Sequence, residues 1–192
     1  MNQMTKPKRT TPVPVPLKWT VAEFHKHCST PEMRAKRPYL INGVIWEQGE
    51  MNPPHAYVLT QAHSALQKVV PTGLLIRNQL ALVFDLHTDP EPDLAVVQGV
   101  ASDYRRDHPK TAELVIEVSD TTLYEDRTTK AELYAAAGIA DYWILDVINE
   151  KLIVHRQPDA GGSYGEVHTY GKEDSISPLV LPGVTMKVAE FF

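Results

Sequence analysis

Hydrophobic and polar positions along this chain follow two different periods, and the period changes from segment to segment. Residues 38–49 have the pattern of two short strands around Asn42 and Gly43, the dipeptide most typical of a tight hairpin turn. Residues 56–70 instead repeat their apolar side chains at helical spacing, and the pattern ends before Pro71. The two patterns predict a hairpin followed by an amphipathic helix.

Capping signals predict two further helices. Thr20 is followed by Glu23 at the spacing of a capping box, so a short helix should begin there. Thr122 and Glu125 repeat this spacing, and the helical pattern after them runs to about residue 137. Gly138 then stands where a left-handed C-cap is expected.

Short apolar runs predict the remaining strands. They cover residues 73–79, 80–86, 92–98, 112–119, 141–147, 151–157 and 163–171. Residues 179–192 add one or two peripheral strands and a terminal turn. We therefore predict an α/β fold: a mixed β-sheet flanked by helices, with an N-terminal hairpin and C-terminal peripheral strands.

The composition fits one domain. The chain has 192 residues, of which 43% are hydrophobic, enough to bury a genuine core. We predict a disordered proline-rich arm over residues 1–16 and a single domain over residues 17–192. A single cysteine, Cys28, excludes an intramolecular disulfide and a Cys-rich zinc site, which suits a reducing, cytoplasmic setting. No run is long and apolar enough to cross a bilayer, so we expect a soluble protein.

The net charge of -5 argues against a general nucleic-acid coat, because neutralising phosphates requires clustered Lys and Arg. Any nucleic-acid contact must therefore be local. Residues 6–9 and 103–110 are the basic candidates, although a solvated tail and a solvated loop are the simpler interpretation.

Glu117 lies inside an apolar strand. Side chains alternate across a strand, so Glu117 shares a face with Val115. Placing an ionised carboxylate on an apolar face costs roughly several kcal/mol of folding free energy unless the carboxylate is paired or bound to a metal. Two interpretations stay open: water reaches Glu117 at the strand end, where it pairs with a lysine, or the carboxylate has a specific function.

Asp93 supplies a second carboxylate at the start of another apolar run. If the two strands are neighbours, at a spacing of ~4.8 Å, Asp93 and Glu117 can reach a common cation. Mg²⁺ suits such hard oxygen ligands, and the backbone carbonyl of Val118 is a further candidate ligand. The other acidic residues before this strand are more simply solvated: Asp85, Asp89 and Glu91.

Lys130 is the candidate base. On the predicted helix, Asp126, Lys130 and Tyr134 follow one another at intervals of four residues and lie near one stripe. Lysine side chains lean toward the helix N-terminus, so Lys130 can reach back toward Glu117. The alternative is an ordinary surface pair between Asp126 and Lys130.

These motifs, taken in order, resemble the Uma-two family, a branch of the PD-(D/E)XK restriction-endonuclease-like superfamily. The resemblance runs from about Tyr39 to Phe192. The segments that carry it are residues 51–58, Pro92-Asp93, Glu117-Val118-Ser119, Asp126 with Lys130 and Tyr134, residues 138–146 and residues 177–192.

The resemblance implies a restriction-endonuclease-like core and hydrolysis of phosphodiester bonds that depends on Mg²⁺, with Mn²⁺ as a substitute. The substrate implied is nucleic acid, and we expect DNA. Asp93 and Glu117 match the two motif acids. Ser119 stands where the plain superfamily pattern has its lysine, and Lys130, from the following helix, matches the lysine that Uma-two members offer instead.

Candidate accessory residues are Glu47, His55, Ser119 and Asp126. Glu50 is another acidic candidate in the hairpin region, and His55 is more simply a hydrogen-bonding residue at a helix entry. The motif at residues 25–28 lacks a fourth metal ligand, and Tyr142 and Trp143 are expected in the core.

Two other classes of protein stay open. The chain could be a non-catalytic nucleic-acid-binding or regulatory module, or a structural homo-oligomer in which Glu117 and Lys130 form a buried pair. Whichever of these classes applies, we expect the protein to form a homodimer.

Overall fold

The computed structural model describes residues 15–49 and 51–192. The arm predicted over residues 1–16 lies outside the described residues, apart from its last two positions. Within the described residues, no helix is both long and apolar enough to cross a membrane.

The described elements form a mixed α/β fold. The helices are α1 (Val21–His27), α2 (Pro31–Ala35), α3 (Pro53–Gln67), α4 (Leu123–Glu125) and α5 (Ala131–Ala136). The strands are β1 (Pro38–Ile41), β2 (Val44–Glu47), β3 (Leu74–Asn78), β4 (Leu94–Gln98), β5 (Leu114–Ser119), β6 (Asp141–Asp146), β7 (Lys151–Pro158), β8 (Tyr164–Tyr170), β9 (Ser175–Ile176) and β10 (Met186–Lys187). Short 3-10 turns cover Ala101–Tyr104 and Val188–Phe191, and a π-helical turn, Asp126–Lys130, joins α4 to α5.

The main sheet has six strands in the order β3-β4-β5-β6-β7-β8. Strands β5 and β6 run parallel, because the helical segment between them carries the chain back across the sheet, and the other neighbours are antiparallel. The predicted mixed sheet flanked by helices is confirmed.

Strand β5 is buried on both faces because helices cover each side of the sheet. Leu114, Ile116 and Val118 pack on one face with α3 and the C-terminal 3-10 turn. Val115 packs on the other face with the core residues of α5. This alternation is the one that the sequence pattern predicts, and it sends the Glu117 side chain toward the α4–α5 side.

The predicted capping box at Thr20 and the predicted hairpin are confirmed. Thr20 and Glu23 form the full capping box of α1. Strands β1 and β2 pair antiparallel around Asn42 and Gly43, whose φ angles of 51° and 79° give the left-handed turn of a tight hairpin.

The strand predicted over residues 80–86 is wrong. This segment is an irregular loop whose backbone N–H groups donate to scattered carbonyls: Leu82 to Pro90, Val83 to Pro109 and Phe84 to Thr88. Ala81 and Leu82 are buried against the core, whereas Leu80 and Leu86 are exposed, so the apolar run does not mark a paired strand.

The capping box predicted at Thr122 is also wrong. Thr122 does precede the helix, but its hydroxyl donates to the carboxylate of Asp126, over 2.7 Å, instead of capping the first turn. The helical segment then widens into the π-helical turn, which the sequence pattern did not predict. Gly138 has φ of 75°, as expected for a left-handed C-cap.

Candidate active site

A cavity of about 200 Å³ opens at the end of the sheet where β4 begins and β5 ends. Asp93 directly precedes β4, and Glu117 lies in β5. The antiparallel register that pairs Leu94 with Ile116 brings these two acids side by side. His55 and Lys130 enter the same cavity from α3 and from the π-helical turn.

Backbone N–H groups from the two neighbouring segments hold the carboxylates of Asp93 and Glu117. The Asp93 N–H donates to Glu117 Oε2 over 3.4 Å, and the Val118 N–H donates to Asp93 Oδ2 over 2.9 Å. Because both contacts cross between neighbouring strands, sheet pairing itself fixes the separation of the carboxylates.

Asp93 is also held by two side chains. His55 Nε2 lies 3.1 Å from Asp93 Oδ1, and the Gln79 amide donates to the same oxygen over 3.1 Å. Burial acts to raise the pKa of Asp93, but the His55 contact and charge outweigh it, so the net pKa is lowered. Burial acts to lower the pKa of His55, but hydrogen bonding to Asp93 reverses this effect and the net pKa is raised.

Glu117 is buried, with 2% of its surface exposed, so the interpretation that water covers it at the strand end does not hold. The Tyr134 hydroxyl donates to Glu117 Oε1 over 2.7 Å, and Lys130 Nζ lies 3.2 Å from Oε2. Burial raises the pKa of Glu117 to about 7; Lys130 opposes the rise, while Asp93 and Asp126 add to it.

Lys130 lies between two buried carboxylates. Its Nζ is 2.9 Å from Asp126 Oδ1 as well as 3.2 Å from Glu117 Oε2. Burial acts to lower the pKa of Lys130, but the negative charges of Glu117 and Asp126 prevail and raise it. The surface-pair interpretation is therefore wrong, because Asp126 is 1% exposed and the lysine points into the cavity.

The cavity carries an excess of negative charge. Its described lining contains two permanent cations, Arg37 and Lys130, against six carboxylates. The six acids are Glu47, Glu91, Asp93, Glu117, Asp120 and Glu125. Such an imbalance favours a bound cation, because buried carboxylates repel one another at short range.

The other candidates from the sequence take different positions. Glu47 is exposed at the rim, and its carboxylate lies 3.9 Å from the ammonium of Lys36. Asp126 reaches the site through Lys130 and does not line the cavity. Ser119 is buried without lining it, and Val118 lines it and donates to Asp93. Glu50 lies outside the described residues.

Sequence reasoning assigned no role to Tyr134, Gln79 or Asn52. Tyr134 lies four residues after Lys130 on the same helical stripe, a spacing that could have indicated its contact with Glu117. Gln79 follows β3, and no local pattern indicates its contact with Asp93, because the pairing of β3 with β4 creates it. Asn52 caps α3 by accepting from the His55 N–H and donates to Asp120.

The histidine motif at residues 25–28 is structural in the described fold. His25 Nε2 lies 2.5 Å from the carboxylate of Asp89, which anchors α1 to the loop before β4. Among residues 15–49 and 51–192, no three His, Cys, Asp or Glu side chains cluster closely enough to hold a metal ion together. The donor set at Asp93 and Glu117 is therefore two carboxylates.

A mixed sheet with helices on both faces, and an acidic cavity at the ends of its central strands, defines the class of restriction-endonuclease-like folds. A solved structure from Anabaena variabilis, described as a "putative nuclease belonging to DUF820", matches with a TM-score of 0.70. It is 19% identical and covers 90% of this chain and 97% of its own, so it shows the fold.

The chain belongs to the Uma2 family, described as "Putative restriction endonuclease", whose model matches residues 21–189. Among curated proteins, none matches the chain at a significant level.

Proposed function

We propose that this protein is a Mg²⁺-dependent endonuclease that hydrolyses the phosphodiester bonds of nucleic acid, with DNA as the expected substrate. The observation that carries the proposal is the pair of carboxylates, Asp93 and Glu117, braced on adjacent strands in a cavity that also holds Lys130. Family membership supports a nuclease function.

The residues present fit a divalent cation. Mg²⁺ prefers oxygen ligands and usually takes one or two protein carboxylates, with water and substrate phosphate in the other positions. Asp93 and Glu117 would hold it, with the Val118 carbonyl as a further proposed ligand. Mn²⁺ is the expected substitute. When bound, the ion would lower the pKa of a water molecule and offset charge that builds on the phosphate.

The protein groups contribute position and charge. Lys130 is half-buried and charged at neutral pH, since its pKa is raised, and we assign it to stabilising the negative charge on the phosphate or orienting the attacking water. Asp126 positions Lys130, and Tyr134 holds Glu117 through its hydroxyl. His55 and Gln79 hold Asp93 in the same way.

A non-catalytic nucleic-acid-binding module is the second candidate. The observation that favours it is Ser119, which replaces the strand lysine of the plain superfamily pattern and does not line the cavity. In such a protein, Lys130 would only neutralise buried carboxylates, and nucleic acid would bind without being cut.

We further infer a cytoplasmic setting and a homodimer. The free, half-buried Cys28 is compatible with a reducing compartment. The dimer is an expectation that light scattering of the purified protein tests: a mass of one chain would contradict it.

The test of the proposal is a cleavage assay with Mg²⁺ or Mn²⁺ on duplex DNA, single-stranded DNA and RNA. The wild type should cut at least one substrate, whereas Asp93→Asn, Glu117→Gln and Lys130→Ala should not. Glu113→Gln is the matched control, because Glu113 precedes the same strand at its other end and bonds Gln98 at the surface. Cleavage that survives both Asp93→Asn and Lys130→Ala would overturn the assigned site, and binding without cleavage would favour the second candidate.

A further inference from the structure

Arg37 has an unusual backbone conformation at the edge of the cavity. It lies between α2 and β1 with φ of 48°, in the left-handed region that side chains with a Cβ rarely adopt. Its N–H donates to the Arg34 carbonyl over 3.0 Å, and its carbonyl accepts from the Gln48 N–H over 3.2 Å. The conformation is therefore fixed from both sides.

Strained positions of this kind concentrate at functional sites. Five described residues other than glycine have positive φ, and two of them, Arg37 and Gln79, line this cavity. Gln79 uses its position to donate to Asp93. Arg37 has no comparable hydrogen bond to a described side chain, so its local contacts do not explain why an arginine occupies a position that asparagine or glycine would tolerate better.

Of the two permanent cations in the described lining, Arg37 and Lys130, only Lys130 is paired with a described carboxylate. Lys130 is engaged by two carboxylates within 3.2 Å. Among the described residues, Arg37 has no carboxylate within ion-pair distance, although it lies close enough to influence Glu91. Burial raises the pKa of Glu91, and the Arg37 charge opposes that rise. Arg37 therefore lines the cavity with no described side chain bonded to its guanidinium.

A nucleic-acid phosphate entering this cavity meets six carboxylates. A cation held by Asp93 and Glu117 offsets part of that repulsion at the scissile phosphate only. A neighbouring phosphate requires a second positive group at the rim. A guanidinium suits this task, because its planar donors can form two parallel hydrogen bonds with phosphate oxygens.

We propose that Arg37 is a substrate-binding residue that contacts a backbone phosphate next to the one that is cleaved. The inference rests on the proposed function, since it requires nucleic acid in the cavity. It explains why a strained position carries a long cation rather than a residue suited to positive φ.

The test measures binding of a labelled 20-base-pair DNA duplex and of a matched single strand. Fluorescence anisotropy at several salt concentrations gives each affinity. Ca²⁺ replaces Mg²⁺ so that a divalent cation is present while hydrolysis is slowed. Three variants are compared with the wild type: Arg37→Asn, Arg37→Lys and Arg106→Asn. Arg106 lies in the exposed loop between β4 and β5, at the end of these strands remote from the cavity. It belongs to residues 103–110, the other basic candidate for nucleic-acid contact in the described chain, so its substitution removes the same charge and tests that candidate against Arg37.

We expect Arg37→Asn to weaken binding about tenfold and to reduce the salt dependence of the duplex affinity by about one counterion. Arg37→Lys should recover part of the affinity, because it keeps the charge but loses the planar donors. Arg106→Asn should bind like the wild type. Arg37→Asn should also unfold at the same temperature as the wild type or higher, since asparagine tolerates positive φ better.

Two results would overturn the inference. If the wild type binds and Arg37→Asn binds equally well, or no worse than Arg106→Asn, then Arg37 does not contact the substrate, while the proposed function stands. If the wild type binds neither nucleic acid, the proposed function fails, and the role of Arg37 fails with it.

Discussion

Two buried acids in the same sheet differ in how their charge is balanced. Asp141, at the start of β6, is fully buried and accepts from three groups that surround it: Trp143 Nε1 over 2.8 Å, the Leu179 N–H over 2.8 Å, and Arg156 through both Nε and Nη2, over 2.8 and 3.3 Å. One carboxylate meets one guanidinium, and no described cavity of appreciable size opens onto them.

Glu117, near the end of the adjacent strand β5, has a different environment. It shares one lysine with Asp126, lies beside Asp93 and faces an open cavity. Arg156 also fixes the C-terminal segment by donating to the Ser177 carbonyl, whereas Lys130 fixes no chain segment outside its own site. A structural acid is neutralised and enclosed. Glu117 is buried like Asp141, but it shares its lysine with Asp126 and borders a cavity, which is the arrangement expected of a site that receives a cation.

The largest contrast should come from removing the charge of each acid. Glu117→Gln should lose cleavage by about a thousandfold or more, because the proposed cation loses one of its two carboxylates. The folded protein should survive, since glutamine can still accept from Tyr134 while the repulsion among the carboxylates falls. Cleavage rates and urea unfolding measure the two effects. A Glu117→Gln variant as active as Glu113→Gln would contradict the assignment.

Asp141→Ala should show the opposite pattern. Truncation leaves the half-buried guanidinium of Arg156, the Trp143 indole N–H and the Leu179 N–H without their acceptor, so the free energy of unfolding should fall by about 3–5 kcal/mol. Residual folded protein should keep its metal affinity, because Asp141 lies at the other end of the sheet from Glu117. Urea unfolding followed by tryptophan fluorescence measures the loss. A loss below 1 kcal/mol, as is typical of exposed pairs, would show that the two acids differ less than their contacts indicate.

The pH dependence of stability should separate the two regions further. Glu117 has a pKa raised from 4.5 to about 7, so the folded state binds its proton more tightly than the unfolded state does. The contribution of Glu117 to stability without metal should therefore be full below pH 4.5 and fall by about 3 kcal/mol as the pH rises to 7. The raised pKa of His55 acts in the same direction at higher pH. Glu117→Gln should remove the part of the decline between pH 4.5 and 7, and an unchanged decline would contradict the raised pKa.

The smallest effect should come from the Tyr134 hydroxyl. Tyr134→Phe removes one hydrogen bond to Glu117 and leaves the ring packing in place, so stability should change by about 1 kcal/mol and cleavage should fall about tenfold. Tyr164→Phe is the control, because its hydroxyl donates to the Ile139 carbonyl away from the cavity. Equal loss of cleavage in the two variants would show that Tyr134 has no specific role at the site.

The sequence predicted the parts of this molecule that depend on local pattern. The Asn42-Gly43 turn, the capping box at Thr20 and the alternating faces of β5 each follow from spacing within a few residues. The contact of Lys130 with Glu117 could be expected for the same reason, since a helix follows the strand after a short turn.

The parts that the sequence did not predict depend on distant segments. Residues 80–86 have the apolar pattern of a strand, but only Ala81 and Leu82 are fully buried, and the Leu82 and Val83 N–H groups donate to the carbonyls of Pro90 and Pro109 in other loops. The π-helical turn and the positive φ of Arg37 are set by contacts of the surrounding chain, and no residue in either segment indicates them. Gln79 reaches Asp93 because β3 pairs with β4, which spacing along the chain cannot indicate.

The central claim is that Asp93 and Glu117 hold a divalent cation, and calorimetric titration with Mn²⁺ tests it most directly. The wild type, Glu117→Gln, Asp93→Asn and Glu113→Gln would be titrated in two buffers with different ionisation enthalpies. We predict one site in the wild type and in Glu113→Gln, with proton release near pH 7 because Glu117 must ionise. The site should be lost in Glu117→Gln and in Asp93→Asn. Unchanged Mn²⁺ binding in those two variants would contradict the claim.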